Sequence, residues 1–113
     1  MSDATYEEVL DLPNHPEQLL IDVRNPDEIA ATGKIPTSVN IPFTQLEETL
    51  KLADGPFMDK LGRPKPTLAA DIIFHCGKGG RAQKATDLAL ALGYQNARTY
   101  KGSYQEWASK QST

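Results

Sequence analysis

The sequence holds a single cysteine, Cys76, in 113 residues. An internal disulfide is therefore excluded, and so is any zinc or iron–sulfur site built from several cysteines. Charge of one sign is also in short supply: 12 Lys plus Arg stand against 15 Asp plus Glu, a net charge of −3. Such a balance supplies no global drive toward nucleic acid or an anionic membrane. Long apolar runs are missing too. Stretches such as Leu19-Leu20-Ile21 fall far short of a bilayer span. The opening MSDATYEEVLDL has no basic stretch ahead of an apolar one, and its early acids do not suit a mitochondrial transit peptide. The chain also lacks the start and end motifs of myristoylation and prenylation. These absences predict a protein with no nucleic-acid or membrane partner, in the reducing cytoplasm, where a lone thiol persists. The length predicts one domain over residues 1–113, monomeric by default. A domain of this size buries roughly two-thirds of its unfolded surface, so it needs no covalent staple.

What is present is legible punctuation. Thr5 with Glu8, Asn25 with Glu28, Thr44 with Glu47 and Ser103 with Glu106 all have capping-box spacing. Pro26 fits the first helical position after Asn25. Short helices are expected near 6–12, 26–32, 45–52 and 103–110. A longer one is expected from Gly80 to Leu92, where Ala82, Ala85, Ala89 and Leu92 share a face and Gly93 follows as a stop. Strands are expected near 4–5, 19–23, 39–41, 71–75 and 97–100. The runs at 19–23 and 71–75 are apolar with little alternation, as in strands covered on both faces. Strands alternating with helices predict an α/β sandwich of three layers, with helices on both faces of a mainly parallel, five-stranded sheet. The stretch 53–66, with three prolines and two glycines, reads as a long connection with one helical turn at 58–61.

The chemistry concentrates after the second apolar strand, in His75-Cys76-Gly77-Lys78-Gly79-Gly80-Arg81-Ala82. Open α/β sheets bind ligands beyond the carboxyl ends of their strands, where Cys76 falls. Gly77, Gly79 and Gly80 allow backbone N–H groups to turn inward as an anion nest. The N-terminus of the following helix adds partial positive charge, and Lys78 and Arg81 add full charges. Each effect favours a thiolate nucleophile over a buried, inert thiol. The His-Cys pair invites comparison with tyrosine phosphatases, whose loop places five residues between Cys and Arg. Here four residues separate Cys76 from Arg81, a tighter cradle that suits a sulfur anion better than a phosphate.

Four ordered segments resemble the single-domain rhodanese, or thiosulfate sulfurtransferase, family over nearly the whole chain. They are Asp22-Val23-Arg24 with Pro26 and Glu28, and Gly33-Lys34-Ile35-Pro36 with Ser38, Asn40, Ile41 and Pro42. The third is the loop from Cys76 through Arg81, and the fourth is Gly102-Ser103-Tyr104-Gln105-Glu106-Trp107. The resemblance implies the rhodanese fold and a cycle without metal or cofactor. Cys76 takes sulfur from thiosulfate as a persulfide. It then yields the sulfur to an acceptor such as cyanide, glutathione, thioredoxin or a protein thiol. It also implies that the N–H groups of Gly77, Lys78, Gly79, Gly80 and Arg81 hold the persulfide. Lys78 and Arg81 would attract the anionic donor, and Asp22 and Arg24 would act as structural supports. Ser103 departs from the family pattern, which commonly has a second glycine there; a helix-capping role is expected for it.

Three rival readings remain at this stage: a noncatalytic interaction module, a phosphatase or arsenate reductase, and a thiol redox sensor. His75 should point away from Cys76, as neighbours on a strand do, and reads as a packed histidine rather than a base. His15 falls in a turn between Asn14 and Pro16 and reads as solvated. Trp107 and Tyr104 read as core aromatics. The sequence leaves open whether Arg98, Phe57 or Met58 approaches the site.

Overall fold

A computed structural model describes residues 3–112. Four strands, β1 (Gln18–Asp22), β2 (Val39–Asn40), β3 (Asp71–His75) and β4 (Ala97–Thr99), form one sheet in the order β2-β1-β3-β4. All pairs are parallel. The longest ladder runs from Gln18 opposite Asp71 to Asp22 opposite His75. The chain moves outward from β1 to β2 and, on the other side, from β3 to β4. The switch in direction therefore lies between β1 and β3, and a crevice opens at the carboxyl ends of those strands. Asp22 and Cys76 are carried to that point by the two most apolar strands of the chain.

Side-chain alternation along β1 and β3 separates two cores. Leu19, Ile21, Ile72 and Phe74 face one layer, with α3 (Phe43–Leu50) and α5 (Gly80–Ala91) packed over them. Ala82, Ala85 and Ala89 form the inner face of α5, and their small size lets the helix sit close to the sheet. Leu20 and Ile73 face the other layer, with Val9 of α1 (Tyr6–Leu10) and Trp107 of α6 (Ser103–Gln111). Each fully buried Leu, Ile or Phe contributes on the order of 1.5–3 kcal/mol by leaving water.

Capping holds where the backbone permits it. At Thr5 the hydroxyl accepts from Glu8 N–H at 3.1 Å, and Glu8 accepts from Thr5 N–H at 3.1 Å. Asn25 and Glu28 form a second box at the start of α2 (Pro26–Thr32). The other two boxes do not form. Helix α3 begins at Phe43, so Thr44 lies inside it, and Pro42 is the cap. At α6 the cap is Gly102, and Glu106 instead accepts from the Tyr100 hydroxyl at 2.7 Å.

Two further expectations are corrected. The sheet has four strands among the described residues, because 4–5 forms no ladder: Ala4 N–H donates to the Thr99 carbonyl at 2.9 Å, and Thr5 then turns into its helix cap. The segment 53–66 holds a two-turn helix, α4 (Asp54–Leu61), rather than a single turn. Pro56 sits in its first turn, where no N–H is needed for the helix ladder. Gly62, at φ 71°, closes it in the left-handed conformation. Met58 is exposed, whereas Phe57 is completely buried. Replacing Phe57 with Ala should lower stability by about 3–5 kcal/mol, as for other buried aromatics. Urea denaturation would measure this, and a loss below about 1 kcal/mol would mean that α4 is not anchored through Phe57.

Candidate active site

Strand β3 delivers Cys76 to the first layer and His75 to the opposite one. The turn that follows enters α5 through Gly79, whose φ of 108° is a left-handed conformation. A Cβ there would run into the Lys101 carbonyl oxygen. Only glycine meets both demands, and the turn brings backbone donors onto the sulfur. Gly79 N–H lies 3.0 Å and Ala82 N–H 3.3 Å from Cys76 Sγ. The residue itself is 1% exposed. Two N–H groups and the positive end of a 12-residue helix thus converge on one sulfur, an arrangement that stabilises an anion there.

Helix α6 fixes the other side of the loop. Cys76 N–H donates to Ser103 Oγ at 3.1 Å, Tyr104 N–H to the Cys76 carbonyl at 2.9 Å, and Gln105 N–H to the Gly77 carbonyl at 3.0 Å. Ser103 is therefore not the helix cap expected of it. It is the first helical residue, fully buried, with φ 55°. That backbone favours glycine, and the serine offsets the strain with two hydrogen bonds, one from Cys76 N–H and one to the Tyr100 carbonyl at 2.9 Å.

Beneath the loop lies a buried ion pair. Arg24 Nη2 donates to Asp22 Oδ2 at 2.8 Å, and Nε reaches both carboxylate oxygens at 3.1 Å. The remaining donors bind Thr32 Oγ1 at 2.9 Å and the Gly33 carbonyl at 3.1 Å. The guanidinium lies 4.4 Å from the centre of the Tyr104 ring, and the Tyr104 hydroxyl donates to the Thr32 carbonyl at 2.7 Å. Tyr104 thus braces Arg24 as well as packing on the core, whereas Trp107 is a core residue, 5.5 Å from the Tyr6 ring. His75 packs against the same pair. Its Nε2 is 3.6 Å from Asp22 Oδ2 and has no hydrogen-bond partner; its Nδ1 is 3.3 Å from the Cys76 carbonyl. Burial pushes the His75 pKa down, against the opposing pull of Asp22.

Arg81 lies at the mouth of the site but is not a free cation. Its guanidinium is engaged by Glu28, with Nη1 2.7 Å from Oε2 and Nη2 2.9 Å from Oε1. Arg81, followed by Asn25 N–H, holds the Glu28 carboxyl down at about 2, and Glu28 in turn raises Arg81. The pair therefore persists as pH falls through the ordinary carboxylate range and is lost only as pH approaches about 2. Lys78 and Lys84 are exposed at the same mouth. With Cys76, Gly77, Gly80, Arg81 and Glu28 they line a cavity of about 480 Å³. An adjoining groove of about 340 Å³ shares Glu28, Gly77 and Lys78 and is bounded by Thr32 and Tyr104.

The structure thus brings Cys76, the 77–81 loop, Asp22 and Arg24 to one edge of the sheet. Arg98 lies elsewhere, paired with Glu8 at 2.9 Å, and His15 pairs with Asp11 at 2.9 Å. Three participants escaped the sequence reading: the Ala82 N–H, the Ser103 hydroxyl and the Glu28 partner of Arg81. The first was visible only as helix face, and the third as a capping residue and a member of the first of the four ordered segments.

Gly79→Ala should cripple both folding and sulfur loading of Cys76, since the strain and the carbonyl clash fall on the residue that donates to Sγ. A lowered thermal midpoint with loss of the persulfide mass would register this, and wild-type behaviour in both would refute it. His75 gives a pH signature. Below about pH 6.5 the unfolded chain takes up a proton that the buried ring resists, so folded stability falls as pH drops through that value. His75→Asn should flatten that limb, read as the difference between the two proteins' urea midpoints from pH 8 to about pH 5.

Comparison with known proteins agrees with this architecture. Residues 5–110 match the family model described as Rhodanese-like domain. A Drosophila melanogaster relative, Rhodanese domain-containing protein CG4456, is 48% identical over 108 residues, covering 96% of this chain and 97% of its own. The Homo sapiens Thiosulfate:glutathione sulfurtransferase is 43% identical over 94 residues, 82% of this chain and 81% of its own. The Saccharomyces cerevisiae Thiosulfate sulfurtransferase RDL2, mitochondrial, is 39% identical over 108 residues, 94% of this chain and 72% of its own. The solved structure of the human single-domain sulfurtransferase TSTD1 superposes with a TM-score of 0.89 at 37% identity, covering 97% of each chain. A family match spanning both core layers and the Cys76 loop leaves one conclusion: this chain belongs to the rhodanese-like domain family.

Proposed function

We propose that this chain is a sulfurtransferase that carries sulfane sulfur on Cys76 from thiosulfate to glutathione. The observation that carries the reading is the convergence of Gly79 and Ala82 N–H groups on the Cys76 sulfur at 3.0 and 3.3 Å. A persulfide anion needs such donors and little else.

The Cys76 thiolate attacks the outer sulfur of thiosulfate. The sulfur–sulfur bond of the donor breaks, sulfite leaves with the bonding pair, and Cys76 holds the persulfide. Lys78 and Lys84 draw the dianion to the mouth. Gly77 and Gly80 shape the cavity, Gly79 donates to sulfur, and Arg81 offsets charge on the departing sulfite. Asp22 and Arg24 hold the floor of the loop and take no chemical part. An acceptor thiolate then attacks the outer sulfur and regenerates Cys76, which makes the kinetics ping-pong. With Cys76 as the chain's only cysteine, no internal thiol can resolve the persulfide, so the acceptor is external. The relatives named for glutathione support it as that acceptor; cyanide serves as an assay substitute, and thioredoxin or another protein thiol would meet the same chemistry. We further propose that residues 1–113 act as one monomeric domain in a reducing compartment. No helix among the described residues is long and apolar enough to cross a membrane. Two relatives are named mitochondrial, so our assignment to the cytoplasm is a proposal for localisation by microscopy to test.

Intact-mass spectrometry tests the function. Incubation with thiosulfate should add one sulfur atom, which glutathione and cyanide both remove, while Cys76→Ala gains nothing. Absence of the adduct on an intact, accessible Cys76 would overturn the reading and favour the interaction module.

A further inference from the structure

The cavity above Cys76 is lined by three cationic side chains, Lys78, Arg81 and Lys84, and by one carboxylate, Glu28. The lysines are exposed, but the arginine is gripped by Glu28 in a two-pronged pair at 2.7 and 2.9 Å. Such fork-to-fork geometry is among the stronger polar contacts a protein makes. Glu28 cannot drift away readily, because Asn25 N–H holds its Oε2 at 2.9 Å as part of the box that starts α2. It borders both the Cys76 cavity and the adjoining groove. The carboxylate is thus fixed where an anionic donor must arrive, and it stays ionised throughout the working pH range.

We infer that Glu28 is a specificity-determining residue that competes with anionic donors for Arg81 and so sets the donor charge the site accepts. This rests on the sulfur-donor reading above. In the empty site Glu28 neutralises Arg81. A dianion approaching Cys76 meets a carboxylate and must share or displace it. After the thiolate takes the outer sulfur, sulfite departs with both electrons of the broken bond. Glu28 then recaptures Arg81 and helps expel the anion. The residue therefore weakens thiosulfate binding and also weakens inhibition by sulfite.

The test compares two donors that break the same kind of sulfur–sulfur bond. Thiosulfate is a dianion with sulfite as leaving group; methanethiosulfonate is a monoanion with methanesulfinate as leaving group. Glu28→Gln keeps a capping-box acceptor while removing the charge. A nearby charge in aqueous surroundings is worth about threefold in affinity per unit of donor charge. Glu28→Gln should thus lower the thiosulfate KM about tenfold and the methanethiosulfonate KM about threefold, with the gap closing in high salt. Sulfite inhibition should tighten in parallel. Arg81→Gln, which bares Glu28, should shift both KM values upward, thiosulfate more. Equal changes for the two donors, or a thiosulfate KM that rises in Glu28→Gln, would make Glu28 a brace for the loop and overturn the inference. A wild-type protein that loads from neither donor would instead remove the sulfurtransferase reading itself.

Discussion

The active edge of this molecule hangs on two opposite charges taken out of water. Asp22 and Arg24 are almost completely buried, and a charge pair in that position depends on hydrogen bonds to its lone pairs and protons. Here both carboxylate oxygens and all three guanidinium nitrogens have partners. Asp22 accepts from Arg24 side chain and backbone, and Arg24 also binds the end of α2 and the Tyr104 ring face. Asn40 donates to the carbonyls of both Asp22 and Arg24 at 2.9 Å, drawing in β2. Four parts of the chain, β1, β2, α2 and α6, are thereby tied to one ion pair. Removing one partner of such a pair costs about 3–5 kcal/mol, chiefly by leaving the other charge stranded.

On that floor the sulfur site is made from backbone rather than from side chains. The shortest contacts to Cys76 Sγ are from the N–H groups of Gly79 and Ala82, fixed by a left-handed turn and the first turn of α5, with the Ser103 hydroxyl farther off at 3.9 Å. Such donors keep their orientation as charge moves from one sulfur to the next. Side chains act one step outward. Ser103 and the amides of Tyr104 and Gln105 lock the loop to α6, and charged groups line the mouth. Both left-handed residues near the sulfur, Gly79 and Ser103, lie where two elements meet at close range.

Much of this was legible because local and global preferences agree. The apolar runs of β1 and β3, the caps at Thr5 and Asn25, and the glycine-rich turn after Cys76 each announce one structure and adopt it. The failures have a common cause. At Thr44 and Ser103 the spacing of a capping box is present, but Pro42 starts one helix early and the demand of Cys76 N–H claims Ser103 for another purpose. Residues 4–5 touch β4 through one bond and then yield to the cap at Thr5. Helix α4 hides among prolines that its first turn accommodates. The Glu28–Arg81 pair spans 53 residues, and no spacing rule reaches that far; only packing of α2 against the loop creates it.

The depth of Cys76 has an outcome beyond catalysis. A disulfide requires two sulfurs about 2 Å apart with a defined torsion between their carbons. With 1% of the residue exposed, the sulfurs of two copies cannot meet without opening the loop. The protein is therefore shielded from self-crosslinking in air, although its only cysteine is unpaired. Loading adds a second sulfur about 2 Å from Sγ. Burial thus hides the thiol of one copy from that of another.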